Sequence, residues 1–336
     1  MAATVAQRSL VLFPGSLGDF VCFIPALSAL SQGTEVDLLA HSEFADLVPS
    51  HVRVRSLECY EINRLFMPGS AEEPWLRDFF DSYSSIFSWT GSGSETFVQQ
   101  LQSVSRGRAR VFPFQPSGLE IHQADYYLAC IGEPSLGSRI EEIALQPAAI
   151  AWREDYWRRH FLERKQVLTL APGSGAREKN WPTAFFQSVG NWWGQRPSSA
   201  VVVVVGPVEE ERGDSIAFSR GAVVARDLRL GQLSVLLARS DLYLGNDSGV
   251  THLAAALGLT TVALFGPSDV RQWAPRGKRV TIVRQTVECS PCTPSAMKGC
   301  AHRRCLNTLA ASEVIEKLER LASGSHLDKG GAQGLN

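Results

Sequence analysis

Residues 241–258 read DLYLGNDSGVTHLAAALG, and the fold follows from the way this stretch changes character along its length. Asp241 to Leu244 is short, apolar and aromatic, as a buried strand is. Gly245-Asn-Asp-Ser-Gly249 then supplies a turn, and the alanine-rich run after it is helical. A strand, a glycine turn and a helix form one unit of an α/β fold. The free N–H groups of the first helical turn, with the helix dipole, favour an anion there. Asn246, Asp247, Ser248 and Gly249 occupy that turn, and His252 lies one turn inside the helix. The same residues also suit a plain helix cap, with Asp247 or Ser248 as the N-cap.

The pattern repeats in both directions. Strands are expected at 166–171, 200–205 and 260–264, and the five valines of 201–205 suit a strand covered on both faces. Near the start, Ser9–Phe13 is followed by Pro14-Gly-Ser-Leu-Gly18 and a helix from Asp19 to about Leu30, with further strands near 35–39, 52–56, 84–88 and 109–113. The fold class is therefore α/β, with two Rossmann-like domains facing a central cleft. The expected domains are 1–150 and 151–322, joined through a helix over 148–164, and the Gly-rich polar tail 323–336 is expected to be disordered.

Other turns carry candidate chemistry. After the strand at 166–171 comes PGSGAREKNWP (172–182), where Ser174 and Gly175 permit close backbone approach and Lys179 offers a point charge to a phosphate. A solvated loop with incidental cations is the plainer reading. Residues 206–212, GPVEEER, place Glu209 at a strand end, where an acidic residue accepts from ribose hydroxyls or simply favours a helix N-terminus. Ser16, Gly18 and Asp19 fill the first strand-to-helix turn, and a carboxylate there suits either general-base work or capping.

Composition narrows the class. Hydrophobic residues make up 44% and charged residues 20%, as in a globular chain, and no apolar run reaches a membrane-spanning length. The first residues, MAATVAQRSL, lack a charged region followed by a long apolar stretch, so a cytoplasmic protein is expected, with peripheral attachment to the cytoplasmic membrane left open. A net charge of −1 argues against a nucleic-acid partner. The charge is unevenly divided. Residues 1–150 hold nine Arg, no Lys and seventeen acids, a balance of −8, which leaves +7 for the remainder. A basic half suits a phosphate-bearing ligand.

Of seven cysteines, Cys289, Cys292, Cys300 and Cys305 form one cluster with His302 among them. Four thiolates in seventeen residues admit a structural zinc site, although the second pair is wider than a zinc-ribbon knuckle. Free or disulfide-paired thiols are the alternative.

Taken together, these motifs resemble glycosyltransferase family 9, the ADP-heptose:lipopolysaccharide heptosyltransferases and their relatives, from residue 9 to about 320. The resemblance rests on SLGDFVCFIPAL (16–27), KNWP (179–182), GNDSGVTHLAAALG (245–258) and ALFGPS (263–268). It implies the GT-B architecture and inverting transfer of a heptose or related sugar from an ADP-activated donor to a lipopolysaccharide-core or other glycan acceptor, with no cofactor required for catalysis. Asp19 falls on the family's catalytic base, Lys179 on its phosphate-contacting lysine with Ser174 and Gly175 beside it, and Glu209 on the ribose ligand. Asp247, Ser248, Gly249 and His252 fall on the diphosphate cradle; Ser16, Gly18 and Asn246 complete the expected donor contacts. Pro14-Gly15 departs from the polar or basic residues usual there, and the acidic first domain sits oddly with an anionic acceptor. Arg106, Arg108 and Arg110 are the expected acceptor patch.

Two other readings use the same fold. A non-catalytic nucleotide-sugar-binding protein would bind donor without turnover, and an epimerase would need further acid and base residues. A Rossmann dehydrogenase is disfavoured because no strand is followed by G-x-G-x-x-G.

Overall fold

The structure, a computed structural model, describes residues 8–116, 120–135, 143, 145–206 and 221–328, with the side chains of 324–328 left aside. The chain divides into two compact units, Met1–Ala144 and Leu145–Asn336.

In the first unit, five parallel strands, β1 (Arg8–Leu12), β2 (Glu35–Ala40), β3 (Val52–Ser56), β4 (Ser85–Ser88) and β5 (Ala109–Val111), lie in the order β3-β2-β1-β4-β5. Side chains alternate across β1. Leu10 and Leu12 enter a core with Leu39, Ile86, Phe80 and Leu101, on the side of the helices Pro74–Asp81 and Glu95–Val104. On the other face Phe13 stacks on Phe23 at 4.3 Å and meets the edge of Tyr127, which closes helix Leu17–Leu30 against helix Gln123–Ile131. Pro25 inside the first of these helices leaves its apolar face intact.

The second unit has six parallel strands, β6 (Gln166–Ala171), β7 (Ser199–Val204), β8 (Val223–Ala225), β9 (Leu242–Asn246), β10 (Thr260–Leu264) and β11 (Val280–Val283), in the order β11-β10-β9-β6-β7-β8. Counted from each unit's own first strand, both sheets run 3-2-1-4-5, and the second adds a sixth. This is the doubly wound order, whose switch point lies between the first and fourth strands. The valine run is β7, buried throughout after its first residue. Leu168, Leu170, Val201, Val203, Leu242, Leu244 and Val262 share one core with Trp181, Trp193 and the last helix.

Three expectations shift. Strand β9 continues two residues beyond Leu244, because Gly245 and Asn246 still pair with β10. The helix expected over 148–164 is Pro147–Arg159 and belongs to the second unit, where it packs on helix Leu230–Arg239. The last helix runs from Ala311 to Asp328, past the expected start of a disordered tail at 323. Val314, Leu318 and Ala322, one helical turn apart, are all fully buried, so the apolar stripe carries the helix beyond that point. Among the described residues no helix is long and apolar enough to cross a membrane.

Candidate functional site

Three strand ends of the second unit converge on one carboxylate. Asp247 follows β9 and is only 5% exposed. Lys179 Nζ, from the turn after β6, lies 2.8 Å from its Oδ2. Ser268 Oγ, from the turn after β10, donates to the same oxygen at 2.5 Å, and His252 Nε2 stands 4.0 Å from Oδ1. The site thus lies at the carboxyl ends of β6 and β9, the switch point of the sheet.

Polar bonds fix the turns that carry these groups. Asn246 is fully buried; its Oδ1 accepts from Trp181 N at 2.9 Å, and its Nδ2 donates to Pro172 O at 2.7 Å. Its amide therefore joins the β6 and β9 turns to each other. Trp181 Nε1 donates to Leu309 O at 2.9 Å, which sets the other side of the β6 turn on the core. Ser174 Oγ donates toward Ala176 O (2.7 Å) and Asn180 Oδ1 (2.6 Å), so this hydroxyl shapes the loop. A Cβ on Gly175 would meet nothing within 4 Å, consistent with open space beside that backbone.

Ser248 is the N-cap of helix Gly249–Ala256, and it caps through its backbone. Its carbonyl accepts from Thr251 N and His252 N, while its hydroxyl bonds Thr251 Oγ1 at 3.2 Å. Thr251 also bonds Tyr243 Oη at 2.9 Å. Burial pushes the Tyr243 phenol well above its ordinary value, so it stays neutral. A Cβ on Gly245 would lie 2.3 Å from that phenol oxygen, which is why glycine stands there.

In the first unit, Asp19 is the N3 residue of a capping box. Ser16 N and Ser16 Oγ donate to its Oδ2 at 3.0 and 2.6 Å. The carboxylate does cap the helix, and both bonds fall on one oxygen. Gly15 is required beside it: an added Cβ would meet the Phe13 ring at 2.5 Å and Asp19 Cβ at 2.6 Å. The glycine of the Pro14-Gly15 departure thus has a packing cause. Gly18 lies within the first turn of the same helix.

Other expected residues are placed differently. Arg106 and Arg108 both pair with Asp81, at 2.6 and 2.8 Å, and Arg110 donates to Cys130 O at 2.6 Å over the rings of Phe87 and Phe112. Each guanidinium already has an intramolecular partner. Glu209 lies outside the described residues. The zinc expectation is not met by the geometry: among the described residues, no three His, Cys, Asp or Glu side chains are arranged to hold an ion. Cys305 is buried beside core residue Leu306, whereas Cys289 is exposed and Cys300 Sγ contacts His302 at 3.6 Å. Burial, and then the neighbouring cysteines, raise the thiols of Cys292 and Cys305.

Sequence reasoning singled out Lys179 and Asp247 but not Ser268, although FGPS ends the next strand.

Residues 137–300, just under half of the chain, match the family model described as glycosyltransferase family 9 (heptosyltransferase). Lipooligosaccharide heptosyltransferase 2 of Campylobacter jejuni subsp. jejuni serotype O:2 is 29% identical over 173 residues, 48% of this chain and 53% of that one. The chain thus spans about half the length of this curated relative. A glycosyltransferase family 9 structure from Veillonella parvula superposes with a TM-score of 0.74 at 18% identity, over 96% of this chain and 99% of the other. E. coli ADP-heptose lps heptosyltransferase II gives 0.69 at 16%, over 95% and 100%. At these identities the superpositions establish the fold, two parallel-sheet α/β domains of the GT-B kind. The matched segment and its curated relatives make this chain similar to glycosyltransferase family 9 over about half of its length.

Proposed function

We propose that the chain is an inverting glycosyltransferase that moves heptose, or a related sugar, from an ADP-activated donor to a hydroxyl of a lipopolysaccharide-core or other glycan acceptor. The observation that carries this reading is the convergence of Lys179, Ser268 and His252 on Asp247 beside the N-terminus of helix Gly249–Ala256. A leaving nucleoside diphosphate gains negative charge, and a lysine with a helix N-terminus stabilises it. An ammonium has three donors, so Lys179 can contact a phosphate oxygen while staying on Asp247. The carboxylate orients the cation; Ser248 and Gly249 face the anion with their backbone.

Asp19 is the base in this reading. Ser16 steadies Oδ2, and the other oxygen takes the proton of the acceptor hydroxyl as its oxygen bonds the anomeric carbon of the sugar and ADP leaves. Glu209 as ribose ligand, and Ser16 and Gly18 as donor contacts, come from the family resemblance. The acceptor role of Arg106, Arg108 and Arg110 rests on their charge as a local basic patch, which Asp81 partly offsets at the first two. A glycan or glycolipid acceptor met at the cytoplasmic membrane surface, and less anionic than a fully phosphorylated core, suits the −8 balance of the first half.

ADP and ADP-heptose should raise the melting temperature of the purified protein by mass action. Asp19→Asn should retain that shift and lose sugar transfer by roughly 10²–10⁴-fold. Normal turnover by this variant would remove Asp19 as the base, and no shift with either nucleotide would remove the donor-site reading.

A further inference from the structure

The segment 289–305 lies beyond the strand-end turns, yet it is bonded to two of them. Cys292 N donates to Pro267 O at 2.8 Å, and Ser290 Oγ donates to Gly266 O at 2.6 Å. These bonds hold the segment to the turn that carries Ser268. Leu306, just past its end, packs so closely on Gly266 that a Cβ there would lie 2.5 Å from Leu306 Cγ. Between these anchors, Arg303 reaches the other turn. Its Nη1 donates to Arg177 O at 3.0 Å and to Asn180 O at 3.2 Å, the two carbonyls that bracket Lys179.

The turn that receives these bonds is also shaped by Ser174 Oγ, bonded to Ala176 O and Asn180 Oδ1, and is followed by buried Trp181. Residues Arg177–Lys179 form a single 3₁₀ turn in which none of the three is buried, so polar bonds such as those of Arg303 bear on its position. Arg303 is itself held in an unusual state. Its backbone is left-handed, with φ at 41°, and its N–H donates to Cys300 Sγ at 3.4 Å. L-residues avoid this region unless their surroundings impose it. The imposed backbone aims a permanently charged guanidinium at two carbonyl oxygens, where charge-assisted hydrogen bonds are strong.

We propose that Arg303 is a positioning residue for the nucleotide-diphosphate site, holding the 177–180 turn so that Lys179 is presented at Asp247. The inference rests on the donor-site reading above and adds a residue from outside the three strand ends. Arg303 touches no substrate in this account; it acts through Lys179.

The test is a double-mutant cycle on the full chain, with ADP affinity measured by calorimetry for the unaltered protein, Arg303→Gln, Lys179→Ala and the double variant. Arg303→Gln should weaken ADP about tenfold, the worth of one charge-assisted hydrogen bond. Lys179→Ala should weaken it at least as much, and the double variant should match Lys179→Ala within about twofold, because the two residues share one route. A role confined to the fold would lower the melting temperature without nucleotide and would add its effect to that of Lys179→Ala. Unchanged ADP affinity in Arg303→Gln, or additive losses, overturns the proposal. If Lys179→Ala binds ADP normally, the donor-site reading falls first and takes this one with it. Should Arg303→Gln fail to fold, Arg303→Lys, with a shorter reach, should show a loss of about two- to tenfold in the same cycle.

Discussion

Ser268 and Lys179 both act on one oxygen of Asp247, and the difference between them defines what each contributes. Lys179 is 28% exposed and can turn toward a ligand, whereas the Ser268 hydroxyl only steadies the carboxylate. Replacing Ser268 by Ala removes a single hydrogen bond to a charged group, worth about 1.5–3 kcal/mol in favourable settings. We expect ADP to bind about three- to tenfold more weakly to Ser268→Ala, read by calorimetry. Unchanged affinity would show that Asp247 keeps its place without this donor. At this scale much of the site was legible. Lys179 and Asp247 each follow a strand within a glycine- or serine-bearing turn, and His252 lies one turn into the helix that follows, so chemistry of that kind is local. The contacts of Ser268 and Arg303 were not legible, because they depend on which turns become neighbours in the fold. The three arginines at 106–110 illustrate the converse, since only the folded chain shows Asp81 beside two of them.

Among the elements, the β6 and β9 turns depend on the amide of Asn246. It satisfies a buried N–H and a carbonyl at once, so Asn246→Ala leaves Trp181 N and Pro172 O without partners. Each unmet group costs about 1–3 kcal/mol, and we expect a loss near 2–4 kcal/mol in chemical denaturation. A loss under 1 kcal/mol would mean that water replaces the side chain. Strand boundaries were legible where long apolar runs meet a turn, as at β6 and β10. The end of β9 was displaced because glycine and asparagine normally signal a turn, and here sheet pairing with β10 overrides that preference. Strands β8 and β11 were not expected at all. They are three and four residues long, are only partly buried and lie at the sheet edges, so no continuous apolar run marks them.

At the level of the molecule, every described group proposed for the diphosphate lies in the Leu145–Asn336 unit, which has its own buried core. That unit expressed alone should unfold cooperatively and bind ADP within about threefold of the full chain, a difference below about 1 kcal/mol. A folded fragment that does not bind would assign essential nucleotide contacts to the first unit. The parallel α/β class of both units and the split in charge were legible from the alternation of strands and helices and from the count of ionisable residues, whereas the strand order came only with the fold. The boundary was displaced because a helix between two domains looks alike in sequence whichever it joins. Its packing on helix Leu230–Arg239 places it in the second.

The ion pair between Lys179 and Asp247 also means that the protein carries its own counterion. A chloride or other small monoanion that approached Lys179 would have to share it with a carboxylate already 2.8 Å away, and would gain little over bulk water. A diphosphate brings several negative oxygens and can reach the helix N-terminus as well as the ammonium. Under the proposed donor-site reading, Asp247 therefore favours a ligand that brings several negative oxygens over a small monoanion.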